Sequence, residues 1–345
     1  TLVTVLAIYW AATFIAMKGI GWVGKISKWG GLIGTIIPAG LLIVLGIIYI
    51  ATGGHNYMDM SQSFIPDLTK FDNLVLASSI FLFYAGMEMM GVHVMDVNNP
   101  SRNYPKAIII GSLATVCIFV LGTFALGVII PAKDINLTQS LLIGFDNFFK
   151  YFHIPWAGPV IAVALMLGVL ASVLTWVAGP SKGIFTVGKA GYLPPFFQKS
   201  NSHGVQRNIL LVQGGIVTLL SLLFVVMPSV QSFYQILSQL TILLYLIMYM
   251  LMFAAAITLR YKMKTAQRPF RLGKGNALMW VLGVTGFCGS LLAFVLSFIP
   301  PGQINTGSST VWYAVLIAGC VIMVIIPFIL YSLPKPSCRD PSSEL

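Results

Sequence analysis

Residues 73–95 read NLVLASSIFLFYAGMEMMGVHVM. A run of this kind is long enough to cross a bilayer, which takes about 20 mostly apolar residues. Near its middle stands Glu88, the only acidic residue well inside an apolar span of the chain. A charge at the bilayer centre costs at least ~2.5 kcal/mol, so it normally faces a partner, a cavity or water. Two readings stand side by side. Either Glu88 handles substrate or protons, or it stays neutral and hydrogen-bonds a neighbouring helix. Gly86 lets the helix break two residues earlier. Half-helices of that type turn freed N–H groups toward anionic groups such as a carboxylate, whereas a glycine in an unbroken membrane helix serves as a packing contact.

The rest of the chain has the same character. Of its 345 residues 57% are hydrophobic and 8% are charged, and the mean hydropathy is +0.90. A soluble domain carries about 25% charged residues. At 8% there is too little charge to cover a water-facing surface, which excludes the soluble enzyme classes. Nine segments read as bilayer spans: 2–17, 30–51, 73–95, 107–131, 156–179, 208–227, 233–259, 277–300 and 311–332. Segment 137–152 mixes apolar residues with Asp146 and Lys150 and reads as a helix lying at the interface. The expectation is an all-α polytopic protein: one transmembrane domain over 1–332 and a cytoplasmic tail over 333–345. The first residue is Thr1 and an apolar run begins at once, unlike a signal peptide or a charged anchor. The chain therefore reads as N-terminally incomplete.

The net charge of +11 invites a nucleic-acid reading, but placement decides against it. Numbering the loops alternately puts 17 of the 20 lysines and arginines on one side; the others are Lys70, Lys133 and Lys150. Positive loops stay cytoplasmic, so the C-terminus is expected inside and the first segment starts outside. Asp59, Asp67, Asp72, Asp134 and Asp146 fall on the outer side. Asn136-Leu137-Thr138 matches a glycosylation sequon there, which would mean nothing if the protein were bacterial. Cys117, Cys288 and Cys320 lie in apolar runs and Cys338 in the tail, without pairing or metal-like spacing. They read as small buried hydrophobes.

Other polar residues inside the spans are candidates for a transport path. Segment 156–179 carries Ser172, Thr175 and Trp176; a buried tryptophan usually packs, its N–H finding one partner. Segment 233–259 carries Gln239, Thr241, Tyr245 and Tyr249. The two tyrosines are four apart and share a helix face, lining a polar path or joining adjacent helices. His93 lies beyond Glu88, suited to a structural role or a proton relay. His55, His153 and His203 stand in loops without ligand spacing. No nucleophile elbow, phosphate-binding glycine loop or zinc motif occurs, so the sequence supports no enzyme, cofactor or metal site.

The motifs carry a family resemblance. Tyr84-Ala85-Gly86-Met87-Glu88, followed by Asn99-Pro100-Ser101-Arg102-Asn103-Tyr104-Pro105, resembles the broken sixth helix and following loop of the amino acid–polyamine–organocation (APC) transporters. The family pattern there is Gly-x-Glu, then Asn-Pro-x-Arg-x-x-Pro. Gly179-Pro180-Ser181-Lys182-Gly183, Gly191-Tyr192-Leu193-Pro194 and His203-Gly204-Val205 resemble the end of the eighth helix and the next loop. Trp176, the Thr241-to-Tyr249 stretch and Phe298-Ile299-Pro300-Pro301 are similar to the bacterial glutamate/γ-aminobutyrate antiporters. The resemblance extends from about Lys25 to Tyr331.

That resemblance implies two inverted five-helix repeats plus two extra helices, the LeuT-like architecture, with the nine segments as helices four to twelve of twelve. It implies a secondary amino-acid exchanger in the bacterial inner membrane, with lipid and a small amino acid as partners and no cofactor. The backbone of Phe83, Tyr84, Ala85 and Gly86 would hold substrate, together with Ser172, Trp176, Tyr245 and Tyr249, and Glu88 would couple protons. Another amino acid/amine exchanger, a proton-coupled symporter, and a non-transporting sensor or scaffold are the alternatives. Ser172 stands where the antiporters have an acidic residue, which leaves the substrate open, and the antiporters' long C-terminal plug has no counterpart.

Overall fold

The computed structural model describes residues 2–58, 61, 67, 69–136, 139–226, 230–264, 268, 270, 275–300 and 308–333, without the side chains of 72, 76, 79, 81–83, 90, 93, 95 and 96. Part of the 136–138 sequon, and the tail beyond residue 333 with Cys338, lie outside the described residues. Among those described there is no strand. The chain divides into two compact units: Thr1–Ser63, Leu113–Val226 and Ile329–Leu345 form the first, Phe64–Ser112 and Met227–Phe328 the second.

In the first unit, α1 (Leu2–Ala16) is followed by α2 (Ile20–Gly31), a π-helical turn (Leu32–Ile36) and α3 (Ile37–Ala51). The helical path thus begins at Ile20, ten residues before the expected segment. Pro38 explains the π turn. It supplies no N–H and crowds the carbonyl four residues back, at Gly34, and a π bulge relieves both. The end of α5 (Pro100–Ile129), then α6 (Ser140–Tyr151), α7 (Ala157–Val187), α8 (Arg207–Ser221) and the short α9 (Leu223–Val226) complete this unit.

Two apolar cores hold these helices. One joins Leu42, Leu45 and Tyr49 of α3 to Ala125, Val128 and Ile129 of α5 and to Phe145, Phe148 and Phe149 of α6. The phenylalanines explain why 140–151 is helical and half-sunk despite its ion pair between Asp146 and Lys150. The other core gathers Ala12, Ala16 and Val23 against Leu174, Val177 and Leu210. Close approach between the π turn and α7 depends on glycine: a methyl at Gly34 would fall onto the Gly168 backbone and the Ala164 carbonyl.

The second unit contains α4 (Phe71–Tyr84), a 3₁₀ segment (Met87–Asp96), the start of α5, α10 (Val230–Lys262), α11 (Ala277–Leu296) and most of α12 (Ser309–Ser332). Its core sets Ile236, Leu240 and Leu243 of α10 against Trp312, Leu316 and Cys320 of α12. Trp312 is fully buried, and its indole N–H donates to the Phe298 carbonyl at 2.9 Å.

Among the described residues seven helices are long and apolar enough to cross a membrane, where the sequence reading expected nine spans. The two differences have local causes. The helix Leu2–Ala16 is apolar but has 15 residues, about 22 Å at 1.5 Å per residue. Segment 73–95 is not one helix, because the chain breaks after Tyr84. The cysteine reading is corrected in part. Cys320 is buried, but Cys117 and Cys288 are exposed on the outer faces of apolar helices, as expected where lipid is the solvent.

Candidate functional site

The break that splits segment 73–95 also creates its chemistry. Gly86 has φ 105° and ψ −8°, a left-handed conformation that costs other residues roughly 1–2 kcal/mol. The α-helix ends at Tyr84, and a 3₁₀ segment starts at Met87, its first turn closed by the Met89 N–H on the Gly86 carbonyl at 3.1 Å. The regular ladder of α4 therefore stops at Tyr84. The Phe83 and His93 side chains lie outside the description. Tyr84 is exposed and Ala85 half-buried.

At this break the second unit assembles a closed polar triangle. The Tyr249 hydroxyl donates to Glu88 Oε2 at 2.7 Å. The Gly86 N–H is shared between Glu88 Oε2 at 3.1 Å and Tyr249 Oη at 3.3 Å. Tyr245 stands one turn before Tyr249, ring centroids 5.9 Å apart, so both tyrosines do share a face of α10. The other carboxylate oxygen, Glu88 Oε1, is buried with no hydrogen-bond partner among the described residues. Leaving such an atom unpaired costs about 1–3 kcal/mol. It is open to a hydrogen-bond donor. The N–H that the sequence reading aimed at a substrate carboxylate is thus engaged, in this conformation, by the protein's own carboxylate.

The remaining candidates belong to other surroundings. Ser172 and Trp176 are in the first unit, four residues apart on α7 and both exposed, Trp176 by 44%. Thr175 between them is structural: its hydroxyl donates to the Ala171 carbonyl at 2.9 Å and lies 2.7 Å from Ser27 Oγ of α2. Pro180 supplies no N–H to the Trp176 carbonyl four residues back, so the helix ladder is interrupted there. Gln239 is buried and donates to the Ser297 carbonyl at 2.9 Å, joining the end of α11 to α10. Thr241 is exposed and donates to the Leu237 carbonyl of its own helix.

One element near the triangle was not foreseen. The start of α5 backs the 3₁₀ segment: Ser112 Oγ reaches Met87 Sδ at 3.3 Å, and a methyl on Gly91 would stand 3.5 Å from the Tyr104 hydroxyl. The only sequence signal was the small residue at 91 and the aromatic inside the 99–105 motif.

The model of the family described as amino acid permease matches residues 1–326. The chain belongs to this family. The permease is 34% identical over 326 residues to an uncharacterized transporter of Legionella pneumophila, covering 94% of this chain and 70% of that one. It is 32% identical over 344 residues to a glutamate/γ-aminobutyrate antiporter of Lactococcus lactis, covering 98% and 68%. A probable agmatine/putrescine antiporter of that species is 23% identical over 316 residues, covering 90% and 67%. The permease is a multi-pass membrane protein, and its relatives are transporters rather than enzymes.

Proposed function

We propose that this permease exchanges an external amino acid, glutamate in the sharpest version, for internal γ-aminobutyrate by alternating access. The observation that carries the reading is the Glu88–Tyr249–Gly86 triangle at a helix break in an amino acid permease, with glutamate/γ-aminobutyrate antiporters as relatives at 32% identity. Glu88 takes up a proton on its unpartnered oxygen. That loosens its hold on Gly86 N–H and Tyr249, and the 83–86 backbone becomes available to the substrate's charged ends. Trp176 gates or stacks over the substrate, Ser172 lies along its path, and Tyr245 offers a second hydroxyl. The fold is the five-plus-five inverted repeat with two further helices. The placement is the bacterial inner membrane with the C-terminus inside, supported by the one-sided distribution of lysine and arginine.

The test is counterflow with the full-length protein in liposomes. Labelled glutamate is expected to enter liposomes loaded with γ-aminobutyrate or glutamate and to stay out of empty ones. Entry into empty liposomes under an imposed proton gradient would replace exchange by symport. Uptake supported only by an agmatine or putrescine load would move the permease to the amine exchangers, the reading favoured by the more distant relative.

A further inference from the structure

A second built feature stands apart from the Glu88 triangle, wholly within the first unit. It is a cavity of about 520 Å³ among the ends of α1 and α2, the last turns of α7 and the loop before α8. Lys182 and Thr186 line it from α7, and Lys189 from the π-helical turn (Gly188–Tyr192) that continues α7. They follow one another at four and three residues and so share one helix face. His203 lines it from the loop. Among the described residues none of the lining side chains is acidic.

The walls are held in place before any ligand arrives. Asn201 Oδ1 accepts the N–H groups of His203 and Val205 at 2.9 and 3.0 Å, and its amide donates to the Met17 carbonyl at 2.8 Å. This pins the His203 turn to the end of α1. Gly204, at φ 71°, allows the tight turn. Behind it, the buried Gln206 amide donates to the buried Ser181 hydroxyl at 2.8 Å, fixing the loop to α7 one residue before Lys182. The Lys189 ammonium lies 5.3 Å from the Phe185 ring centre, and Phe185 also lines the cavity.

We propose that this cavity binds a phosphate-bearing anion, its phosphate held by Lys182 and Lys189 beside His203. Two cations on one helix face suit the several oxygens of a phosphate, while the Thr186 hydroxyl donates to the Lys182 carbonyl and stays with its own helix. Ile20, Val23 and Leu210 make the opposite wall apolar, which suits ligand carbon as well as phosphate. Basic pockets between helices at a membrane face take phospholipid headgroups in this way; free phosphate presents the same chemistry. The site uses no residue of the transport reading and stands or falls separately from it.

The test is thermal unfolding and native mass spectrometry of the detergent-solubilised full-length protein with phosphatidylglycerol, phosphatidylcholine or inorganic phosphate. Phosphatidylglycerol is expected to bind and stabilise where phosphatidylcholine does not. Lys182→Gln with Lys189→Gln should weaken it about five-fold for each lysine removed. The paired Lys182→Arg, Lys189→Arg protein should retain binding, which separates lost charge from lost folding. His203→Gln, a change in the loop, should give a smaller loss. Lys28→Gln, an exposed lysine of α2 outside the cavity, should change nothing. If inorganic phosphate stabilises equally and through the same two lysines, the site holds and its source is the free anion. Equal binding to the double glutamine variant, or an equal loss in Lys28→Gln, would overturn the proposal in favour of general surface charge.

Discussion

The Tyr249 hydroxyl donates to Glu88 Oε2 across 2.7 Å, joining residues 161 positions apart in the chain. The bond fixes a broken helix to the middle of α10. It also leaves one carboxylate oxygen occupied and the other, among the described residues, without a partner. A hydrogen bond of this kind contributes about 0.5–1.5 kcal/mol net. Tyr249→Phe is therefore expected to lower the unfolding temperature in detergent and to reduce transport at least ten-fold. In a double-mutant cycle with Glu88→Ala, which removes the acceptor, the two losses should fall short of additive. Full additivity would mean that the bond does not operate in the membrane.

Glu88→Gln separates the acid from its shape. The amide keeps an oxygen for Tyr249 and for the Gly86 N–H but cannot take up and release a proton. Under the proposed mechanism, exchange by this variant is expected to be slow and equally fast at pH 5.5 and 7.5, with the normal protein differing between the two. The comparison is initial uptake rate in loaded liposomes. A variant that keeps the full pH dependence would remove Glu88 from proton coupling.

Gly86 is required for its backbone conformation. At φ 105° any side chain is strained, so Gly86→Ala should cost roughly 1–2 kcal/mol. Gly86→Asn should cost less, because asparagine visits the left-handed region more readily. Unfolding in detergent gives the order, and uptake should follow it. Alanine and asparagine behaving alike would point to close packing instead.

Gly34 is the opposite case. Its φ is ordinary, but an added methyl would collide with the backbones of Gly168 and Ala164. Gly34→Ala and Gly168→Ala should each cost about 1–3 kcal/mol, the usual penalty of overpacking. Gly40→Ala, on α3 with nothing within 4 Å, should be neutral or stabilise by up to ~1 kcal/mol. Equal effects at positions 34 and 40 would refute the close crossing.

Much of this was readable from one dimension, because lipid imposes a simple demand. Each crossing helix must satisfy its own backbone and show apolar side chains outward, so the spans can be found by length and hydropathy. The acid at 88, the break permitted by Gly86 and the shared face of Tyr245 and Tyr249 are likewise local facts, set by helix period and by the conformations open to glycine. Where the reading missed, the cause was also local in form but tertiary in origin. Residues 18–29, with Lys18, Lys25 and Lys28, read as the loop between two spans, yet a helix begins at Ile20, where Val23 has Leu174 and Leu210 to pack against.

What the sequence determined, then, was the solvent, the positions of most helices and the residue types able to do chemistry. What the tertiary structure decided was their pairing. That Glu88 meets Tyr249, that Thr175 is tied to Ser27 and leaves Ser172 and Trp176 exposed, and that Lys182, Lys189 and His203 line one cavity are contacts across long sequence distances. Side-chain period along a single helix says which residues share a face, but not which helix that face will meet. In a membrane protein almost every helix is apolar around most of its surface, so hydropathy cannot choose the partner. Shape does, through close approaches such as Gly34 on Gly168 and through a few hydrogen bonds that lipid cannot replace.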